Sequence, residues 1–233
     1  MENSRPQFPE PVPTGTQLAV LPFLAAVEGL ITASAEGEAV RVTMHRVMAR
    51  EQHRYIQQIC EYLGQGFDRS LQSAGRLFPQ QTGLMGKAIE DQRVFRTKPY
   101  ESLDTLKNDL EADLTDTGSS KSVEQSAVSF LSVPFVGADG QTVLVLYVDS
   151  YRFNHFSNDA LVENIMNMCR GFCRMLDWLT EDRPLENLRN FPTPEKDFKP
   201  GKPTAFDRLQ VSFPSDVPKF KSLRSFNFEM TSV

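Results

Sequence analysis

The chain has 233 residues, a formal net charge of −5 and 40% hydrophobic residues. That is enough apolar material for a globular core, and the wrong charge for a general nucleic-acid binder. Three cysteines, Cys60, Cys169 and Cys173, are odd in number and make no disulfide framework. No apolar run approaches the roughly 20 residues that cross a bilayer, and the polar, proline-rich start has no signal-peptide core. The sequence reads as soluble and cytoplasmic, with no nucleic-acid or membrane partner.

Residues 1–16 carry Pro6, Pro9, Pro11 and Pro13 and read as an extended arm, because proline removes a backbone donor and fixes φ. From Gln17 to Ser34, Leu21, Leu24, Val27 and Ile31 recur at helical spacing, with Pro22 expected in the first turns. Residues 39–49 alternate. Val40, Val42, Met44 and Arg46 face one way, and Arg41, Thr43, His45 and Val47 the other, as in a strand. Residues 53–64 fit a hairpin partner, although Ile56, Ile59 and Leu63 also fit a helix; Gly64 and Gly66 end the segment.

Gly83 and Gly86 flank Leu84 and Met85 and suggest a tight turn into a short helix, "KAIED", followed by a short strand, "RVFRT". Leu103, Leu106, Leu110 and Leu114 form one helical stripe with acidic residues around it. Residues 132–150, "SVPFVGADGQTVLVLYVDS", read as a hairpin around Asp139-Gly140. Alternation sends Val143, Val145, Tyr147 and Asp149 to one face, and Leu144, Leu146 and Val148 to the other. A long helix follows from about Ser157 to Leu179, with Ser157 or Asn158 as its cap. Beyond 181 the chain holds seven prolines and seven phenylalanines. Proline opposes a heptad helix and aromatics oppose plain disorder, so 181–233 reads as an extended arm whose phenylalanines dock somewhere.

Two stretches, "RLFPQQTGLMGKAIEDQRVFRT" and "VSFLSVPFVGADGQTVLVLYVDSYRFNHFSNDALVENI", resemble the GAF domain family in their Gly-x-x-Gly turn, Ser-x-x-x-Pro strand, hairpin, and Phe-Ser pair opening the last helix. The resemblance covers residues 17–180. It implies an α+β fold: an antiparallel six-stranded sheet with the terminal helices on one face and a ligand pocket on the other. Eight residues are candidates to surround that pocket: Tyr62, Leu84, Met85, Phe95, Tyr100, Ser132, Tyr147 and Asp149.

Tyr62 matches the stacking aromatic of cyclic-nucleotide-binding members, and Leu84 and Met85 match a segment that contacts the base. Leu63, Leu146 and Asp149-Ser150 depart from that pattern and argue against a cyclic nucleotide. Bilin attachment lacks a cysteine near a histidine. Methionine-sulfoxide reductases of this family need pocket-loop cysteines, whereas Cys60 falls in a strand and Cys169 and Cys173 in the last helix. Those two thiols alone fall short of a zinc site, so no metal, cofactor or catalytic residue is assigned.

The leading expectation is a non-enzymatic sensory or regulatory module that binds a small molecule or a protein and forms a homodimer. Dimerisation is expected through Val20, Leu24 and Ile31 on the first helix and Val162, Met166, Cys173 and Leu176 on the last. The alternative is an adaptor with a vestigial pocket that recruits a partner through Phe191, Phe198, Phe206, Phe213 and Phe220. A reductase is the less favoured third reading.

Overall fold

The computed structural model describes residues 12, 14–50, 53–65, 74–81, 83–116, 127–181, 188–190, 208–224, 226 and 228–230. Four helices are described: α1 (Thr14–Thr32), α2 (Gly83–Asp91), α3 (Leu103–Asp116) and α4 (Asp159–Glu181). The strands are β1 (Val40–Arg50), β2 (His53–Gln58), β3 (Leu63–Gln65), β4 (Leu77–Pro79), β5 (Val94–Thr97), β6 (Ser129–Val136), β7 (Thr142–Ser150), β8 (Leu188–Asn190), β9 (Gln210–Phe213) and β10 (Phe228–Met230). The order β4-β2-β1-β7-β6-β5-β9, with β3 also on β1, makes one antiparallel sheet of eight strands. β8 and β10 pair separately.

The sheet has two strands more than the six expected, and β9 comes from the C-terminal arm. The ambiguous segment 53–64 splits into β2, a link, and β3, so strand pairing overrides its helical spacing. α1 begins at Thr14, which places Pro22 inside the helix rather than in its first turns; its ring points to solvent. The Asn158 side chain accepts from the Leu161 amide at 3.2 Å, so Asn158 is the cap of α4.

The main core lies between one sheet face and the pair α1 and α4. Val40, Val42, Met44, Leu131, Val133, Leu144, Leu146 and Val148 meet Val20, Leu24, Val27, Val162, Ile165 and Cys169 there. Phe23 stacks on Phe172 with ring centroids 4.5 Å apart. Val143, expected beside Val145, joins this core instead; it follows a register shift between Phe135 and Val136 that interrupts strict alternation.

Two sequence expectations are corrected at the helices. By length and apolarity α1 does pass as a bilayer span, but Val20, Phe23, Leu24, Val27 and Ile31 pack against the sheet, as in a core helix. The faces of α1 and α4 expected to pair between copies, Val20, Leu24, Ile31, Val162, Met166, Cys173 and Leu176, are all buried within the single chain. The C-terminal arm helps to cover that core, since Phe213, Phe220, Leu223 and Phe226 belong to the same cluster.

Candidate functional site

The other sheet face carries polar residues in register. One row across the strands runs Phe95, Ser132, Tyr147, Thr43. The neighbouring row runs Phe130, Asp149, Arg41. On the other side the row is Pro134, Val145, His45, Gln58. Directly opposed residues of an antiparallel pair share a face, so the pairing alone gathers these side chains.

Arg41 grips Asp149 with two hydrogen bonds, Nε to Oδ1 at 2.6 Å and Nη2 to Oδ2 at 2.5 Å. Asp149 is 1% exposed. Burial weighs against the guanidinium charge, but the Asp149 carboxylate outweighs it and holds Arg41 above its ordinary range. The Arg41 guanidinium lies 5.4 Å from the centre of the Tyr62 ring and 5.8 Å from that of Tyr151. Arg76 approaches the Tyr62 ring at 5.9 Å and Phe78 at 5.1 Å, while its Nε donates to Gln58 Oε1 at 3.0 Å. Tyr62 is thus an aromatic plate beside two cations. Burial, helped by Asp149, raises the phenols of Tyr62 and Tyr147.

Two groups in these rows stand out. His45 is 0% exposed and neither ring nitrogen has a hydrogen-bond partner. Its ring meets Phe78 edge-on at 5.6 Å. Burial, and then the charge of Arg76, lower its pKa to about 3, so it is neutral and offers one donor and one acceptor. Ser132 Oγ is equally buried and unpartnered. Thr43, by contrast, donates to the Cys60 carbonyl at 3.4 Å.

Two helices border the rows. α2 supplies Leu84 and Ala88 against Phe95, and Met85 and Ile89 against Ile56, Val145 and Tyr147. Leu84 and Met85 lie in the helix itself, not in a backbone turn before it. Gly86 is required there, because a Cβ would come within 2.4 Å of the Gln81 carbonyl carbon. α3 packs Leu106 and Leu110 on Tyr100, Val128 and Phe130.

Of the eight sequence candidates, Phe95, Ser132, Tyr147 and Asp149 share the face by register, and Leu84 and Met85 border it. Tyr62 sits in the link between β2 and β3 and lies beside Arg41. Tyr100 belongs to the α3 cluster, against which Phe130 of the rows also packs. Sequence reasoning did not single out Arg41, His45 or Arg76. The alternation of 40–47 placed Arg41, Thr43 and His45 on one face, but their partners across the sheet depend on long-range register.

The remaining candidates behave differently. Phe213 and Phe220 are buried in their own chain; Phe213 lies 4.6 Å from the Arg96 guanidinium and Phe220 stacks near Phe135 at 6.3 Å. Phe191, Phe198 and Phe206 lie outside the described residues. All three thiols are buried, and burial raises the Cys60 pKa to about 12 and lifts Cys169 and Cys173 as well. None is poised as a thiolate. Among the described residues no group of three His, Cys, Asp or Glu side chains converges on a metal position.

The antiparallel sheet, with terminal helices on one face and a short helix and polar rows on the other, is GAF-like. No protein-family model and no curated protein matches the chain. Among solved structures, a GAF domain aligns at 12% identity and TM-score 0.35, over 66% of this chain and 86% of that one. The fRMsr of Staphylococcus aureus, in complex with substrate, aligns at 14% identity and TM-score 0.38, over 71% and 99%. The expectation that the present chain is not an enzyme is corrected on that finding, since a GAF-like fold does not exclude catalysis.

Proposed function

We propose that the chain is a GAF-like sensory or regulatory module that binds a small molecule on the polar sheet face and passes its occupancy to a partner protein. The supporting observation is the pair His45 and Ser132, both fully buried and unpartnered beside the Arg41–Asp149 pair and the Tyr62 plate. A buried polar group left unmatched costs about 1–3 kcal/mol. A ligand that hydrogen-bonds to both groups offsets that cost. Native mass spectrometry of the purified protein tests this. A small-molecule mass excess is expected on the wild type and expected to be lost in the His45→Phe, Ser132→Ala double variant; the bare chain mass in both rules against the reading.

The homodimer is retained as part of the proposal, on a different surface from the one expected. Ser34 and His155 meet at 2.9 Å, so the end of α1 lies by the start of α4 and the helices run antiparallel. Leu18 and Leu21 then share one end of the pair with Met175 and Trp178, and these four are exposed, Trp178 by 61%. Light scattering on Trp178→Glu should show the wild-type dimer reduced to a monomer; a monomeric wild type counts against pairing.

A further inference from the structure

Residues 208–213 lie on two elements at once. β9 adds to the β5 edge, with Val94 opposite Phe213 and Thr97 opposite Gln210, and the Lys98 amide donates to the Leu209 carbonyl at 2.8 Å. Immediately before β9 the chain meets α3. Arg208 Nη1 donates to Asp113 Oδ1 at 2.9 Å. Leu209 is buried among Tyr100, Leu106, Leu110 and Val128. The Tyr100 hydroxyl lies 2.9 Å from Asp109 Oδ2 and 3.1 Å from the Arg208 carbonyl.

The packing of α3 makes these contacts matter. Its apolar cluster is separate from the main core, and among the described residues Leu209 is one of only five buried side chains in it. The arm is also fastened further along, independently of α3. Val136 exchanges hydrogen bonds with the Pro218 carbonyl and the Phe220 amide, Asp177 accepts from the Lys221 and Ser222 amides at 2.7 and 3.0 Å, and Phe220, Leu223 and Phe226 lie in the main core. Release of 208–209 from α3 therefore leaves the second attachment in place.

We propose that Arg208 and Leu209 are a latch. The C-terminal arm clamps α3 against Tyr100 and Phe130, and so sets how closed the β5–β6 end of the polar sheet face is. A protein that draws Arg208 and Leu209 off α3 would loosen the helix without unfolding the sheet. The proposal goes beyond ligand binding, and its readout needs no ligand.

Hydrogen–deuterium exchange on the full chain tests it with two variants, Arg208→Glu, which sets a carboxylate against Asp113, and Leu209→Ala. Exchange of the α3 amides 106–113 should quicken by about tenfold in each, with α4 amides 162–176 unchanged. Arg208→Lys, which keeps the charge, should restore slow exchange. Unchanged α3 exchange in both variants, while 208–213 exchange faster, overturns the latch. Equal quickening of α3 and α4 also overturns it, because the contacts would then serve global stability. Arg208 is about half exposed, so its variant reads out even if Leu209→Ala does not fold.

Discussion

His45 and His155 both sit in surroundings that disfavour the imidazolium. His45 has burial and the charge of Arg76 against it, which lowers its pKa to about 3. His155 lies between Ser150 and Ser34 at 2.8 and 2.9 Å, and burial followed by Arg152 lowers it to about 4. A folded-state pKa below the unfolded one means that the unfolded chain binds more protons over the interval between them. Stability is thus fully present above pH 6.5 and is lost as pH falls toward those folded values. Each group contributes a slope of at most about 1.4 kcal/mol per pH unit in that window. Chemical denaturation between pH 7 and 4.5 should show stability falling with pH, and His45→Phe should lessen the slope by about one proton's worth. Asp109, Glu163 and Asp177 are held below the usual carboxylate range, Asp109 and Glu163 chiefly by hydrogen bonds and Asp177 by its backbone donors against burial. Their loss comes at lower pH still and is separable.

At the scale of elements, α4 owes its place to both faces. Its Asp177 carboxylate gathers the backbone amides of Lys221, Ser222 and Leu223 and the Ser222 hydroxyl, fastening the arm to the helix. Asp177→Ala leaves those donors unmatched at a partly covered surface and should cost about 2–4 kcal/mol, read as a lower urea midpoint with an unchanged slope. The α4 cap, the β6–β7 hairpin and the two faces of β1 were legible in the sequence, because each is a local pattern of capping, turn chemistry or alternation. The extent of the sheet was not. β9 is four residues long, lies 113 residues from the Thr97 end of β5 (Thr97 to Gln210), and carries no periodicity that marks its partner. The site was legible only in part for the same reason. Tyr147 and Asp149 followed from alternation and Ser132 from the family resemblance, whereas Arg41 meets Asp149 across 108 residues, a distance over which register and not spacing decides.

Over the whole molecule, the polar face and the arm are joined through one chain of contacts. The arm's Leu209 packs under α3, α3 packs on Phe130, and Phe130 stands opposite Asp149 in the rows that hold Arg41. The arm also closes the main core on the opposite side of the sheet. Phe220→Ala, which empties a position 3% exposed against Phe135, should cost about 3–5 kcal/mol, seen as a large drop in thermal midpoint; a shift within error would show that the arm is only loosely seated. The central claim is that the polar sheet face is a binding surface built around His45 and Ser132. A crystal structure of the purified 233-residue chain, at a resolution that orders buried water, tests it most directly. The expected result is a small molecule within hydrogen-bond distance of a His45 ring nitrogen and Ser132 Oγ, lying against Tyr62. A face closed by the chain's own side chains, with both groups bonded to protein or to water alone, would contradict it.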